Sequence, residues 1–162
     1  MMRKKTTTYV SKDDALKKLQ RYCVYQERCH QEVRQKLLDL GIYGDDLEDI
    51  IVELIEDNFL NELRFAQMYA GGKFRIKKWG RYKIKRELKQ KRVSEYCIKK
   101  AMLEIDEDDY LATLHAIFAK RLKVIHEKNE FMTNGNLAKY AISRGFESDI
   151  VWEEVKNRES GD

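Results

Sequence analysis

The sequence predicts an all-α protein: three tandem three-helix repeats forming an elongated, curved body. Three observations predict it. The 162-residue chain contains no proline, so no ring interrupts a run of backbone hydrogen bonds and long helices are permitted. From Ser11 onward the apolar residues recur at helical spacing. The third observation is a repeat. With Gly41 as origin, Val33, Leu37, Ile42, Leu47 and Ile51 form a frame; a shift of 51 residues to Arg92 gives Ile84, Leu88, Val93, Ile98 and Met102, and a further 53 to Gly145 gives Leu137, Ala141, Phe146, Val151 and Val155. All fifteen positions are apolar. A unit of about 50 residues buries little surface alone, so neighbouring copies are expected to stack, and stacked units extend in one direction. The expected segments are a flexible basic tail at 1–10, repeats at 11–60, 61–105 and 106–158, and a C-terminal tail at 159–162.

In the first repeat, Ser11 and Asp14 have capping-box spacing, ahead of a stripe of Leu16, Leu19 and Val24. A second helix is expected from Gln31 to Leu40, stopped by Gly41 in the left-handed region. A third opens at Asp45 and Glu48 and carries Leu47, Ile51, Leu54 and Ile55. In the second repeat, Gly71-Gly72 and Gly80 are expected to bracket the entry to a basic segment, and Ser94 to cap the helix after Val93. In the third, Asp106 to Asp109 place negative charge at the start of the helix containing Leu111, Leu114, Ile117, Phe118 and Leu122, where it suits the helix dipole. Asn134-Gly135 reads as a turn before the last helix pair, and Ser148 as the final cap.

Composition narrows the function. No apolar run approaches the roughly 18 residues of a membrane span, and the first residues lack the apolar stretch of a secretory signal. Cys23, Cys29 and Cys97 are odd in number and have no CxxC spacing, which argues against a disulfide framework and for a reducing cytoplasm. His115 and His126 could share a helix face but lack a third metal ligand. The acidic run from Glu104 to Asp109 lacks the glycine and terminal glutamate of a calcium loop. No phosphate-cradling glycine loop or nucleophile elbow is present. No catalytic residue, metal ligand or cofactor is therefore assigned, and the chain is read as a non-enzyme.

One segment carries a strong signal. Between Lys73 and Arg92, eleven of twenty residues are Lys or Arg and only Glu87 is acidic, while the whole chain carries +4. Such density costs self-repulsion unless an anion neutralises it. On a helix over 78–92, Ile84 and Leu88 point inward, Arg81, Lys85 and Lys89 form one stripe, Lys78, Tyr82 and Arg86 the next, and Lys83 lies on the far side. Trp79 and Tyr82 stand within the basic arc, where aromatic rings can stack on unpaired bases. The bland reading, a solvated face paired with nearby acids, has few local acids to draw on. Lys78, Arg81, Tyr82, Lys83, Lys85, Arg86 and Lys89 are the candidate nucleic-acid or filament contacts.

Three motifs resemble the RecX family of bacterial recombination regulators. The first is Glu32-Val33, Lys36-Leu37 and Gly41-Ile42. The second and most specific is FLNELRFA, with Phe59, Leu60, Asn61, Glu62, Arg64, Phe65 and Ala66, followed by Gly80, Ile84, Glu87-Leu88 and Val93. The third is YAISRGF, Tyr140 to Phe146. The chain departs from the family in having Asn61-Glu62 for its usual Asp pair, Arg92 for a glycine and Cys29 for a serine cap. The resemblance implies a cytoplasmic, monomeric modulator, mostly an inhibitor, of the RecA recombinase. It implies binding in the groove of the RecA filament on single-stranded DNA, with suppression of ATP hydrolysis and strand exchange. Double-stranded DNA is a further expected partner, and a membrane is not one. Two alternatives stay open: a stand-alone nucleic-acid-binding repeat protein, and a structural interaction module with an acidic protein partner.

Overall fold

A computed structural model describes residues 10–160; residues 1–9 of the expected tail at 1–10, and the last two residues, lie outside them. Nine α-helices run in order among the described residues: α1 (Lys12–Tyr25), α2 (His30–Asp39), α3 (Gly44–Glu56), α4 (Glu62–Lys77), α5 (Arg81–Gln90), α6 (Glu95–Met102), α7 (Glu107–Leu122), α8 (Glu130–Ser143) and α9 (Ser148–Glu159). The fold is all-α. The chain divides into two compact units, residues 1–65 and 66–162.

The repeat frame is visible in burial and in backbone geometry. Fourteen of its fifteen positions are buried and Met102 is half-buried. Each copy then stops its helix in the same way. Gly41, Arg92 and Gly145 take φ of +82°, +60° and +98°, and the next residue donates its N–H to the carbonyl five positions back: Ile42 to Leu37, Val93 to Leu88, Phe146 to Ala141. This is a Schellman turn, which satisfies orphan carbonyls and drops an apolar residue back onto the core. Frame and turn are one device, because the left-handed residue aims the apolar residue after it.

In the first unit α1, α2 and α3 pack on one another around Ala15, Leu19, Cys23, Val33, Leu37, Leu47, Ile50, Ile51 and Leu54. Burying a Leu or Ile of this kind is worth about 1.5–3 kcal/mol. Ser11 caps α1, accepting from the Asp14 N–H. The α1 stripe is Ala15, Leu19 and Cys23 rather than Leu16, Leu19 and Val24: Val24 is 73% exposed, and Leu16 packs only at the edge. Ile55 is likewise exposed, and Ile50 takes the inward place. Burial pushes the Cys23 thiol up to about 11.

The second unit is built on an aromatic stack. Tyr110 of α7 lies 4.8 Å from the ring of Phe146 and 5.8 Å from Phe74 of α4. Ser94 caps α6 as the sequence suggests, and Asp106 caps α7, its side chain accepting from the Asp109 N–H. Three expectations fail here. Gly71-Gly72 sits inside α4 rather than at its end, with the Arg75 guanidinium folded over Gly71. Asn134-Gly135 lies within α8, since Asn134 is buried and its amide bonds Arg158 and Glu159 of α9. The last cap is Glu147, with Ser148 the first helical residue.

Candidate nucleic-acid interface

Helix α5 begins later than its charge pattern suggests. Lys78 takes φ +59°, a left-handed stop to α4, and Gly80 precedes the first turn in extended conformation. Lys78 and Trp79 therefore stand in the α4–α5 connection and not on the basic helix. Lys78 instead borders a groove with Phe74, Arg75, Asp109, Thr113 and Lys120.

The first turn of α5 is held by residues far along the chain. The Gly80 N–H donates to the Arg144 carbonyl at 2.9 Å, the Tyr82 N–H to the Gly145 carbonyl at 2.9 Å, and the Arg81 N–H to the Tyr110 hydroxyl at 3.0 Å. These satisfy donors that a helix N-terminus otherwise leaves open. The two backbones touch so closely that a Cβ on Gly80 would overlap Gly145 and Phe146.

Arg81 belongs to this joint. Its guanidinium lies 2.5 Å from Glu107 and 3.2 Å from Glu147, with its side chain 16% exposed, and it stacks 4.0 Å over the Tyr110 ring. Tyr110 in turn donates to Glu147. Burial works against the Arg81 charge, but Glu107 and Glu147 more than offset it and its pKa is raised. Burial, then the bond to Glu147, push the Tyr110 phenol up. The two carboxylates also compensate a first turn that contains no acid of its own. For Arg81, pairing with acids is what the structure contains, although those acids come from α7 and from the α8–α9 turn.

The remaining cations split into two faces. Tyr82, Lys85, Arg86 and Lys89 are exposed and form an outward ridge; its one ion pair, among the described residues, is Lys89 with Glu95 at 3.7 Å, both largely exposed. Such a pair is worth little. Lys83 turns the other way, with its ammonium 4.4 Å from the Trp79 ring.

FLNELRFA serves packing and capping. Leu60, Phe65 and Ala66 are buried and Phe59 is half-buried. The Asn61 side chain accepts from the Arg64 N–H at 2.9 Å, so it caps α4. Asn and Asp are about equal in that role. Glu62 is the first-turn acid. Arg64 clamps four places: Glu27 at 2.5 Å, the Asn58 side chain at 3.2 Å, the Asn58 carbonyl at 3.0 Å and the Phe59 carbonyl at 3.4 Å. Cys29 occupies the cap position of α2, where its N–H and thiol both lie beside the Glu32 carboxylate. His115 pairs with Glu154. Among the described residues no cluster of three metal-ligating side chains occurs, and no helix is long and apolar enough to cross a membrane.

Residues 61–102, which contain α5, match the model for the second three-helix domain of RecX. The regulatory protein RecX of Clostridium tetani is 32% identical over 90% of the chain. The chain belongs to the RecX family. The regulatory protein RecX of Prosthecochloris aestuarii is 29% identical, with 88% of this chain and 93% of that protein aligned. The chain spans 64% of the length of the Clostridium tetani RecX and 58% of that of Clostridium perfringens. In fold it is similar to the crystal structure of RecX from Lactobacillus salivarius, with a TM-score of 0.78 and 21% identity over 91% of this chain and 95% of that one.

Proposed function

We propose that this RecX-family chain binds RecA filaments on single-stranded DNA and restrains them, lowering ATP hydrolysis and strand exchange as a cytoplasmic, non-enzymatic regulator of recombination and repair. The observation that carries the reading is the outward ridge of α5. Lys85, Arg86 and Lys89 stand exposed with Tyr82, opposed by one distant, solvated carboxylate. Cations so placed are available to phosphates. Because the first turn is pinned by Tyr110, Arg144 and Gly145, the ridge is presented by a rigid helix, and a surface ordered before binding loses less entropy on contact.

The test is co-sedimentation of the protein with RecA filaments and, separately, with single-stranded DNA, using the variant Lys85→Ala, Arg86→Ala, Lys89→Ala. Loss of three phosphate contacts should flatten the dependence of log K on log salt by about 2. Filament affinity should fall about tenfold, with the midpoint of urea unfolding unchanged. Unchanged filament affinity would overturn the assignment. Binding to DNA but not to filaments would favour a stand-alone nucleic-acid binder.

A further inference from the structure

The inner side of α5 carries a second arrangement that the ridge does not use. Tyr69 and Lys73 lie one turn apart on α4, Trp79 follows in the connection, and Lys83 and Lys91 come from the two ends of α5. The Lys73 ammonium sits between two rings, 5.4 Å from Tyr69 and 5.0 Å from Trp79. Lys83 is 4.4 Å from Trp79 and Lys91 is 5.8 Å from Tyr69. The result is a strip in which cations and aromatic rings alternate. Among the described residues, no carboxylate lies within 4.0 Å of Lys73, Lys83 or Lys91. Trp79 is half-buried, so its ring is anchored and still reachable.

Resting a lysine on an aromatic face is a weak substitute for an anion, and three such lysines on two rings leave the strip in want of negative charge. A duplex could supply phosphates but not free base faces, since its bases stack on each other. An acidic peptide could pair with the ammoniums but would leave the Trp79 ring unused. Unpaired nucleotides meet both demands, with phosphates for the lysines and a π-face for the Trp79 ring. We infer that the Tyr69–Lys73–Trp79–Lys83–Lys91 strip is a single-strand subsite, in which a base stacks on Trp79 while the three lysines, two of them backed by the Tyr69 ring, take the flanking phosphates. The inference rests on the proposed function in so far as it supposes a nucleic-acid partner. It differs in assigning base contact to the inner face and phosphate contact alone to the ridge.

The chain has two tryptophans, so Trp152→Phe leaves Trp79 as the reporter. In that background, oligothymidylate should quench the emission strongly, and an abasic strand of equal length should bind more weakly without quenching. Trp79→Ala should weaken single-strand binding about tenfold, change duplex binding less than twofold, and be largely rescued by Trp79→Phe. Equal losses on single strand and duplex, or an abasic strand equal to oligothymidylate, would overturn the subsite. So would quenching by polyglutamate that matches the oligonucleotide. The ridge variant, titrated with the same oligonucleotide, separates the two claims. If it loses affinity while Trp79→Ala does not, the subsite falls and the proposed function stands; if neither loses affinity, both fall.

Discussion

Arg92 holds the turn that glycine holds in the other two copies, at φ +60°. A side chain in the left-handed region costs about 1–2 kcal/mol, part of which glycine returns as chain entropy in the unfolded state. Arg92→Gly should therefore stabilise the protein by about 0.5–1 kcal/mol, read as a higher urea midpoint at unchanged slope; a lower midpoint would mean that the arginine side chain holds the turn. Tyr110 is the opposite case. Its hydroxyl accepts from the Arg81 N–H and donates to Glu147, and Tyr110→Phe would orphan the Arg81 N–H and leave Glu147 with the Arg81 guanidinium alone. The expected loss is about 1–3 kcal/mol in urea unfolding. The Arg92 turn was legible in the sequence because left-handed stops fall at a fixed offset from apolar positions. The Tyr110 joint was not, because its acids lie on other helices and no local spacing announces them. The same holds for Arg64, whose motif was recognisable while its partners Glu27 and Asn58 were not.

At the level of the element, α5 combines two tasks in ten residues. Its first turn is fastened and its outer face is free. Arg81, Lys85 and Lys89 share a stripe at helical spacing, yet Arg81 is engaged with Glu107 and Glu147 and the other two are exposed. Substitution should separate them. Arg81→Ala is expected to lower stability by about 1–3 kcal/mol, whereas Lys85→Ala with Lys89→Ala should leave the urea midpoint in place and act on ligand affinity. Equal effects of both on stability would contradict the division. Gly80→Ala should be costly, about 3 kcal/mol, because its Cβ would meet the backbone of Gly145 and Phe146; circular dichroism melting would show it. The charge of this helix was plain in the sequence, but its start was misplaced by three residues. Lysine at Lys78 gives no warning of a left-handed stop, which glycine would have given.

For the whole molecule, the repeat supplies the scaffold and the second three-helix domain supplies the charge. The equivalent frames around Gly41 and Gly145 carry the same buried positions without that charge, so the basic surface is an addition to a shared core and not a consequence of it. Family membership and fold were within reach of the sequence, since burial period and turn position repeat along the chain. Which cations face outward was not, since that depends on acids brought in by folding. The central claim is that this chain restrains RecA on DNA, and the most direct measurement is the single-stranded-DNA-dependent ATPase of the cognate RecA, titrated with this protein. ATP hydrolysis is expected to fall saturably, and the Lys85→Ala, Arg86→Ala, Lys89→Ala variant to reproduce the fall only at about tenfold higher concentration. An ATPase rate unchanged at saturating protein would contradict it.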